Sequence, residues 1–553
     1  MENNVILTPK QVWEGYDPHK EPLRPSYLRF EEVNGNYEIE GYIDGELHTN
    51  EITRIYVKGY IPITSDINSN IIFINSFSED NIISFGQTQY TKQGFGVFSF
   101  DYYGKKKDSL KYTRYPKDIS YANYEESGEH LNHATPTAKD TCIYIWDKVC
   151  MRTINFIKQL RGEDSKIFLC GYQNGADIAW QVAAIDKRVD AVATILNAGW
   201  KEYKDYPKLL GEEPPVDDER KRWFTGSATA TYINFVKCPA LCIISSNGSL
   251  TPLDRIEDTL SLIQKNKKMA TLYIAAGLSD TITYTSRKLF SSWINAIAQN
   301  KQLIYNPEIK LTKAPDGTVR ATIKADKISE LATVTVHYSY DELDPTLRSW
   351  SSENVSLSNL TTTIPVYTAT KIIFAYVSVT YTNEVKLSSI PVHINIDDSF
   401  VKSPIKKNRI IYQKNFGTRG WILEQDKSLL EFLEAKIQEG PLGISGITGS
   451  YGNLSTYSIG DYKYKSDSQN LLQFVAAPRD NRKLEVKIIT STQGVYETYS
   501  TIVSLTGGTW TKCSLKVSDF KTKDRIPLRD WGDIKKITFV DIKNTLINNI
   551  IWV

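Results

Sequence analysis

The sequence predicts a multidomain chain: a mostly parallel, doubly wound α/β sheet followed by two all-β sandwich domains. Three observations lead there. Up to about residue 300, short apolar runs of strand character alternate with stretches of helical periodicity, which is the pattern of βαβ units around a parallel sheet. After residue 302 the helical periodicity stops, and short alternating strands bounded by turn residues take over. Finally, 553 residues exceed what a single hydrophobic core holds, about 250–300. The expected units are 1–302, 303–398 and 399–553, with DDSFVKSP (397–404) as the second linker.

The elements follow in order. Alternating stretches at 37–42 and 52–57 read as antiparallel strands leading into the sheet. A buried strand at 70–75 runs into a polar loop at 76–81, and GFGVFSFDYYG (94–104) is a strand running into a turn. Over 138–160, Ile143, Trp146, Val149, Cys150, Ile154, Ile157 and Leu160 recur at three- and four-residue steps, giving a helix with one wide apolar face. Strands at 167–170, 189–196, 239–246 and 270–275 and a helix at 284–298 complete the first unit. The second unit has strands at 334–340, 361–366, 372–381 and 392–396. The third has strands at 483–490, 511–517 and 536–540, in an array of jelly-roll type.

Composition narrows the function. A hydrophobic share of 41% with 24% charged residues is ordinary for globular protein, and a net charge of +2 offers no field for nucleic acid or an acidic membrane surface. No run reaches the roughly 18 apolar residues of a membrane span. MENNVILTPKQVWEG lacks the basic start and apolar core of a Sec signal, so the expected location is cytoplasmic, or surface- or coat-associated by a non-Sec route. The six cysteines mostly lie inside apolar patterns, as small buried hydrophobes. Cys238-x-x-x-Cys242 has no second ligand pair, so neither metal nor cofactor is expected. Asp461, Asp467 and Asp480 do not form a calcium loop. Tyrosine outnumbers methionine 33 to 3, which suits β-rich surfaces.

The stretch 166–200, KIFLCGYQNGADIAWQVAAIDKRVDAVATILNAGW, is a strand, a turn with glycine on each side, a helix and a second strand. Strand, Gly-x-x-x-Gly and helix is the layout of the nucleophile elbow. With this element, GFGVFSFDYYGKKKDS (94–109), the Trp146/Arg152 helix and AIDKRVDA (184–191), the first 300 residues resemble bacterial α/β-hydrolases of the acetyl xylan esterase and dienelactone hydrolase group. The resemblance implies a serine-type triad, and its three positions can be carried over one at a time. The nucleophile position is Gln173, whose amide is no nucleophile. The acid position, after strand 239–246, is Asn247, followed by Gly248. The histidine position, in the loop after strand 270–275, is Asp280, and no histidine occurs between His133 and His337. All three depart from a working triad together. The oxyanion donors implied are the backbone N–H of Asn174 and one from the Asn75-Ser76 loop.

His130 and His133 read as solvated loop residues, and Ser246, Ser249 and Ser279 lie near the mouth of the site with no histidine placed to activate them. Gln173, Asn174, Asn247 and Asp280 can make a polar cleft able to hold a sugar or small polar ligand, or a filled-in active site.

The C-terminal stretch GGTWTKCSLKVSDF (507–520), with Asp530-Trp531 and INNIIWV (547–553), resembles a carbohydrate-binding-module jelly roll, and the middle unit a fibronectin-type spacer. Trp421, Tyr451, Tyr457, Tyr462 and Tyr464 lie in turn-rich sequence as candidate sugar platforms, whereas Trp510, Trp531 and Trp552 fit the core. Three functional readings follow. One is a non-catalytic binding or assembly protein contacting glycan or other subunits. The second is an acyl-ester hydrolase, such as a carbohydrate deacetylase, with an unrecognised site. The third is a structural coat or lattice protein.

Overall fold

The computed structural model describes residues 5–65, 67–75, 87–106, 109–263, 269–280, 282–424, 435–449, 452–492 and 495–553. Nine strands form the first sheet: β1 (Ser26–Val33), β2 (Asn36–His48), β3 (Glu51–Pro62), β4 (Ser69–Ile74), β5 (Gly96–Phe100), β6 (Lys166–Tyr172), β7 (Val189–Ile195), β8 (Ala240–Ser245) and β9 (Ala270–Ala275). Their spatial order is β1-β2-β3-β5-β4-β6-β7-β8-β9. The strands from β5 to β9 run parallel, while β1, β2 and β3 are joined to the sheet antiparallel. The alternation expected at 37–42 and 52–57 belongs to the long hairpin β2–β3, and β1 adds an outer strand that was not anticipated.

Among the described residues seven α-helices accompany the sheet: α1 (Pro9–Val12), α2 (Gln87–Lys92), α3 (Cys142–Arg161), α4 (Gly175–Ile185), α5 (Asp218–Gly226), α6 (Ile256–Ile263) and α7 (Tyr284–Ala298). On one face of the sheet, Trp146, Val149, Ile154 and Ile157 of α3 and Ile178, Ala179 and Val182 of α4 join Ile72, Ile74, Leu169 and Val192 in one buried cluster. Arg152, 2% exposed, runs back from α3 to the N-terminal segment. It donates to the carbonyls of Pro18, Glu21, Pro22 and Asp44 at 2.6–3.2 Å. A buried guanidinium needs such a full set of acceptors. The helix expected at 138–160 is therefore real, starts at Cys142 and is tied to the chain's own beginning. None of the described helices is long and apolar enough to cross a membrane.

The other face does not end at the first unit. Phe73, Phe95, Val97, Ile195, Ile243 and Tyr273 share a buried cluster with Phe290 and Trp293 of α7, and this cluster continues through Ile309, Val319, Val334, Ile373 and Val377. Those last residues lie in a block made of β10 (Glu308–Lys313), β11 (Thr318–Lys324), β12 (Leu331–Tyr340), β13 (Ser351–Asn354), β14 (Thr361–Pro365), β15 (Ile372–Tyr381), β16 (Lys386–Ser388) and β17 (Val392–Asn395). These strands form two antiparallel sheets, β10-β11-β14 and β13-β12-β15-β16 with β17 on β15, the first of the two expected sandwiches. Its hydrophobic interior is thus continuous with that of the α/β unit.

The last block comprises β18 (Ile410–Tyr412), β19 (Trp421–Glu424), β20 (Lys436–Glu439), β21 (Ser445–Thr448), β22 (Asn453–Thr456), β23 (Leu472–Pro478), β24 (Arg482–Thr492), β25 (Val495–Leu505), β26 (Thr511–Leu515), β27 (Ile534–Phe539) and β28 (Thr545–Trp552). They make two antiparallel sheets, β20-β21-β28-β23-β26 with β18 on β28, and β19-β22-β27-β24-β25. Alternate residues meet in a core of their own around Phe474, Phe539, Trp531 and Trp552. A multidomain α/β unit followed by two all-β sandwiches is what the structure has.

His337, on β12, shows how dry the middle interior is. It is 4% exposed, its Nδ1 lies 2.8 Å from Ser352 Oγ, and it stacks on Tyr376 with ring centroids 4.7 Å apart. Burial, with help from Lys386 and Arg419, pulls its imidazole from 6.5 down to about 3. The unfolded chain therefore takes up a proton near pH 6.5 that the folded chain refuses until about pH 3. This contribution to stability is whole above 6.5 and is lost as the pH falls from there, at up to about 1.4 kcal/mol per unit. A His337→Phe variant, followed by thermal melts across that range, should show a flatter acid branch than the parent.

Candidate functional site

The elbow is built as its glycines require. A Cβ on Gly171 would stand 2.4 Å from Ala176 Cα, and one on Gly175 would stand 2.1 Å from the carbonyl oxygen of Ile74. Between them Gln173 has φ of +48°, the left-handed conformation that a side chain rarely adopts and that the sharp elbow turn imposes on its nucleophile. The turn is held on both sides. Gln173 N donates to Ile195 O at 2.9 Å, and Asn197 Nδ2 donates to Gln173 O at 3.0 Å. The frame of a nucleophile is intact, and a half-buried carboxamide stands in it.

Beside the elbow lies a polar group that sequence reasoning missed. Asp177, on the first turn of α4 and 5% exposed, accepts from Asn197 Nδ2 at 3.1 Å and Thr229 Oγ1 at 2.9 Å. It also pairs with Lys201 Nζ at 2.9 Å. Lys201 reaches Asn174 Oδ1 as well, at 3.1 Å. Asn174, one of the expected ligand-binding residues, therefore has its amide oxygen already engaged. Burial opposes the Lys201 charge, and Asp177 and Glu202 outweigh it, so its pKa is raised. The signal in the sequence was the acid three residues into the elbow helix, where a carboxylate meets the helix N-terminus, although its lysine partner lies 24 residues on.

At the acid position Asn247 is 2% exposed. Its Nδ2 donates to the carbonyls of Arg348, at 2.8 Å, and Thr346, at 3.1 Å, both in the middle block. Its Oδ1 accepts from Ser246 Oγ at 2.8 Å, and Ser246 Oγ accepts from Gly277 N at 2.7 Å. Arg348 is itself wholly buried. Its guanidinium makes a two-pronged pair with Asp254 at 2.7 and 3.0 Å, donates to Glu342 O and Leu343 O, and lies 3.6 Å from the centre of the Phe374 ring. The loop after β8 is thus the seat of the second block.

Asp280, at the histidine position, is turned to the same loop. Its Oδ2 accepts from Ser249 N at 2.9 Å and Ser249 Oγ at 2.6 Å, and burial raises its pKa. Among the described residues no hydrogen bond joins Gln173, Asn247 and Asp280. His130, expected as a solvated loop residue, is half-buried: Nδ1 lies 2.7 Å from Asp140 O and the ring stacks on Tyr121 at 4.2 Å. His133 sits 2.6 Å from Asn132 Oδ1.

The expected sugar platforms fare differently. Trp421 is 7% exposed, against Tyr412 and Phe539 in the core of the last block. The turn-rich sequence around it predicts an exposed platform, but the residue is an inward position of β19 and its faces are covered. Tyr457 is also 7% exposed and packs with Leu347 and Ile422 where the blocks meet. Tyr462 donates its hydroxyl to the Asp341 carboxylate across the same junction, and Tyr464 is buried. Tyr451 lies outside the described residues, as does Ser76 of the oxyanion loop. Trp531 and Trp552 are core residues, and Trp510 is half-buried, bonding Pro441 O through Nε1 at 3.0 Å.

No protein-family model matches the chain, and no curated protein does. Among solved structures, acetyl xylan esterase 1 from Thermoanaerobacterium sp. is similar at 12% identity and a TM-score of 0.37, over 51% of this chain and 89% of its own. The acetyl xylan esterase from Paenibacillus sp. R4 gives 12% and 0.37, over 50% and 90%. A cold-adapted esterase from an Arctic intertidal metagenomic library gives 13% and 0.33, over 50% and 98%. Likeness at those scores carries no argument. The α/β-hydrolase-like fold of the first half rests on the mixed sheet and on the elbow at Gln173.

A carboxylate in place of Asn247 should damage the protein. Asn247→Asp removes both donors to the carbonyls of Thr346 and Arg348 and sets a charge against them. Its expected cost is about 3 kcal/mol, read as a lower urea midpoint, with Asn247→Ser losing less because it adds no charge.

Proposed function

We propose that this protein is non-catalytic, a modular assembly or binding protein built on an inactive α/β-hydrolase scaffold and arranged as units 1–302, 303–398 and 399–553. The observation that carries the reading is the engagement of Asn247. The residue at the acid position of the fold anchors the second unit through Thr346 and Arg348, Gln173 offers no nucleophile, and Asp280 stands where an imidazole is needed. Ser249 touches a carboxylate, Asp280, with no imidazole between them, and a carboxylate alone is a poor base for a hydroxyl.

Of the two classes of partner, glycan and other subunits, the second is better supported. Trp421 and Tyr457 are buried, which takes two of the expected stacking faces away from a pyranose. The alternative, an acyl-ester hydrolase acting on carbohydrate acetates, requires a reactive serine.

Both readings are tested by exposing the full chain to a fluorophosphonate probe and weighing the intact protein. The expected result is no covalent adduct and no hydrolysis of an acetyl ester above the buffer rate. A stoichiometric adduct mapped to one serine, lost on its replacement by alanine together with esterase activity, would establish the hydrolase reading.

A further inference from the structure

The two edges of the nine-stranded sheet are treated in opposite ways. At the β9 edge the chain satisfies its own backbone. Asn306 Oδ1 accepts from Leu272 N at 2.9 Å, Asn306 Nδ2 donates to Ala270 O at 3.0 Å, and Ser388 Oγ accepts from Ile274 N at 3.0 Å. At the far end of the last block, the outer strand β25 is similarly bridged by Lys521 through Ser500. The β1 edge has no such cover among the described residues. It pairs with β2 alone, its residues from Ser26 to Glu32 are all exposed, and it displays Tyr27 (43%), Leu28 (58%) and Phe30 (51%) beside Tyr37 of β2 (39%). The rings of Tyr27, Phe30 and Tyr37 form one patch, with centroids 5.1 and 5.9 Å apart. A bare apolar edge is a template for another strand.

We infer that β1 pairs antiparallel with β1 of a second copy of this chain, about a twofold axis through Phe30. The register follows from the hairpin. Asn34 and Gly35, both at positive φ (51° and 76°), make a two-residue turn, and Val33 faces Asn36. In such a turn the flanking pair is hydrogen-bonded, so Val33, Glu31 and Arg29 direct their backbone groups to β2, while Glu32 and Phe30 direct theirs outward. An axis at Phe30 makes that residue and its copy a mutually hydrogen-bonded pair. It sets Arg29 opposite Glu31 of the copy on both sides of the axis. An axis at Arg29, Glu31 or Glu32 would place like charges face to face, which disfavours pairing.

Edge charges and the bulge between Tyr27 and Arg29 are also devices that keep an edge single. Charges of one sign do that against a second copy. Here Arg29 and Glu31 have opposite signs, already attract at 3.2 Å within the strand, and complement themselves under the twofold.

The inference deepens the assembly reading by naming a second copy as partner, and the two fail separately: sedimentation reads this one and serine labelling reads the other. The test is sedimentation equilibrium of the full chain over a concentration series. A reversible dimer is expected. Phe30→Lys or Arg29→Glu should weaken it at least about tenfold, the double change Arg29→Glu with Glu31→Arg should restore it, and Val495→Lys, at an exposed apolar site on β25, should leave it alone. Circular dichroism melts check that each variant is folded. A strict monomer at about 100 μM, roughly a hundred times a micromolar Kd, overturns the inference. So does a dimer indifferent to both single changes, or a lost dimer that the double change fails to restore.

Discussion

Arg348 brings a guanidinium to a place sealed from solvent, and the arrangement of the chain turns on how that group is satisfied. Asp254 of the first block meets it with both oxygens, the carbonyls of Glu342 and Leu343 accept from it, and the face of Phe374 lies against it. A buried ion pair is no great source of stability compared with well-packed apolar groups, but removing one partner costs about 3–5 kcal/mol because the other is stranded. Such a pair therefore fixes geometry more than it adds energy. Once Arg348 and Asp254 are joined, residues 341–350 have one position relative to the loop after β8, and the second block has one seat. The third block is fastened to the same segment, by Lys535 on Glu342 at 2.7 Å, Tyr462 on Asp341 and Tyr457 against Leu347.

This explains why the hydrolase-like face and the domain architecture cannot be considered apart. The loop after β8 is where the second block sits. Here it carries an amide whose two donors face carbonyls of another block, a task for which a carboxylate is unsuited. Asp280 turns inward to hold Ser249 and the same loop. The elbow, by contrast, still imposes a left-handed backbone on Gln173, because glycines at 171 and 175 are set by the close passage of strand and helix and not by chemistry.

Much of this was legible in the residues, and the limits have physical causes. The elbow could be read because its glycines are demanded locally, and α3 because seven apolar residues recur at helical steps. That Gln173 carries no nucleophile could be read from its residue type alone. The core shared between the first two blocks could not, since apolar residues at strand period look the same whether they meet their own sandwich or a neighbour's sheet. Trp421 was misread for a related reason: glycines at 417 and 420 mark a turn, yet the residue after them already lies on β19 and points inward. The pair of Asp177 with Lys201 and that of Asp254 with Arg348 join residues distant in sequence, so the partner of each is not legible locally even where the acid itself stands at a helix start.

The cover on β9 has a consequence for the order in which the molecule is made. Ala270, Leu272 and Ile274 leave the ribosome before Asn306 and Ser388, which satisfy their outward backbone groups. Asn247 likewise emerges about a hundred residues ahead of the carbonyls it will bind. At translation rates of about 5–20 residues per second, the first block spends several seconds with an open strand edge and an unmatched polar loop. Its completion therefore belongs to a nascent chain already well into its second block, and a pause or truncation between residues 306 and 346 leaves Ile274 without Ser388 and Asn247 without the carbonyls of Thr346 and Arg348.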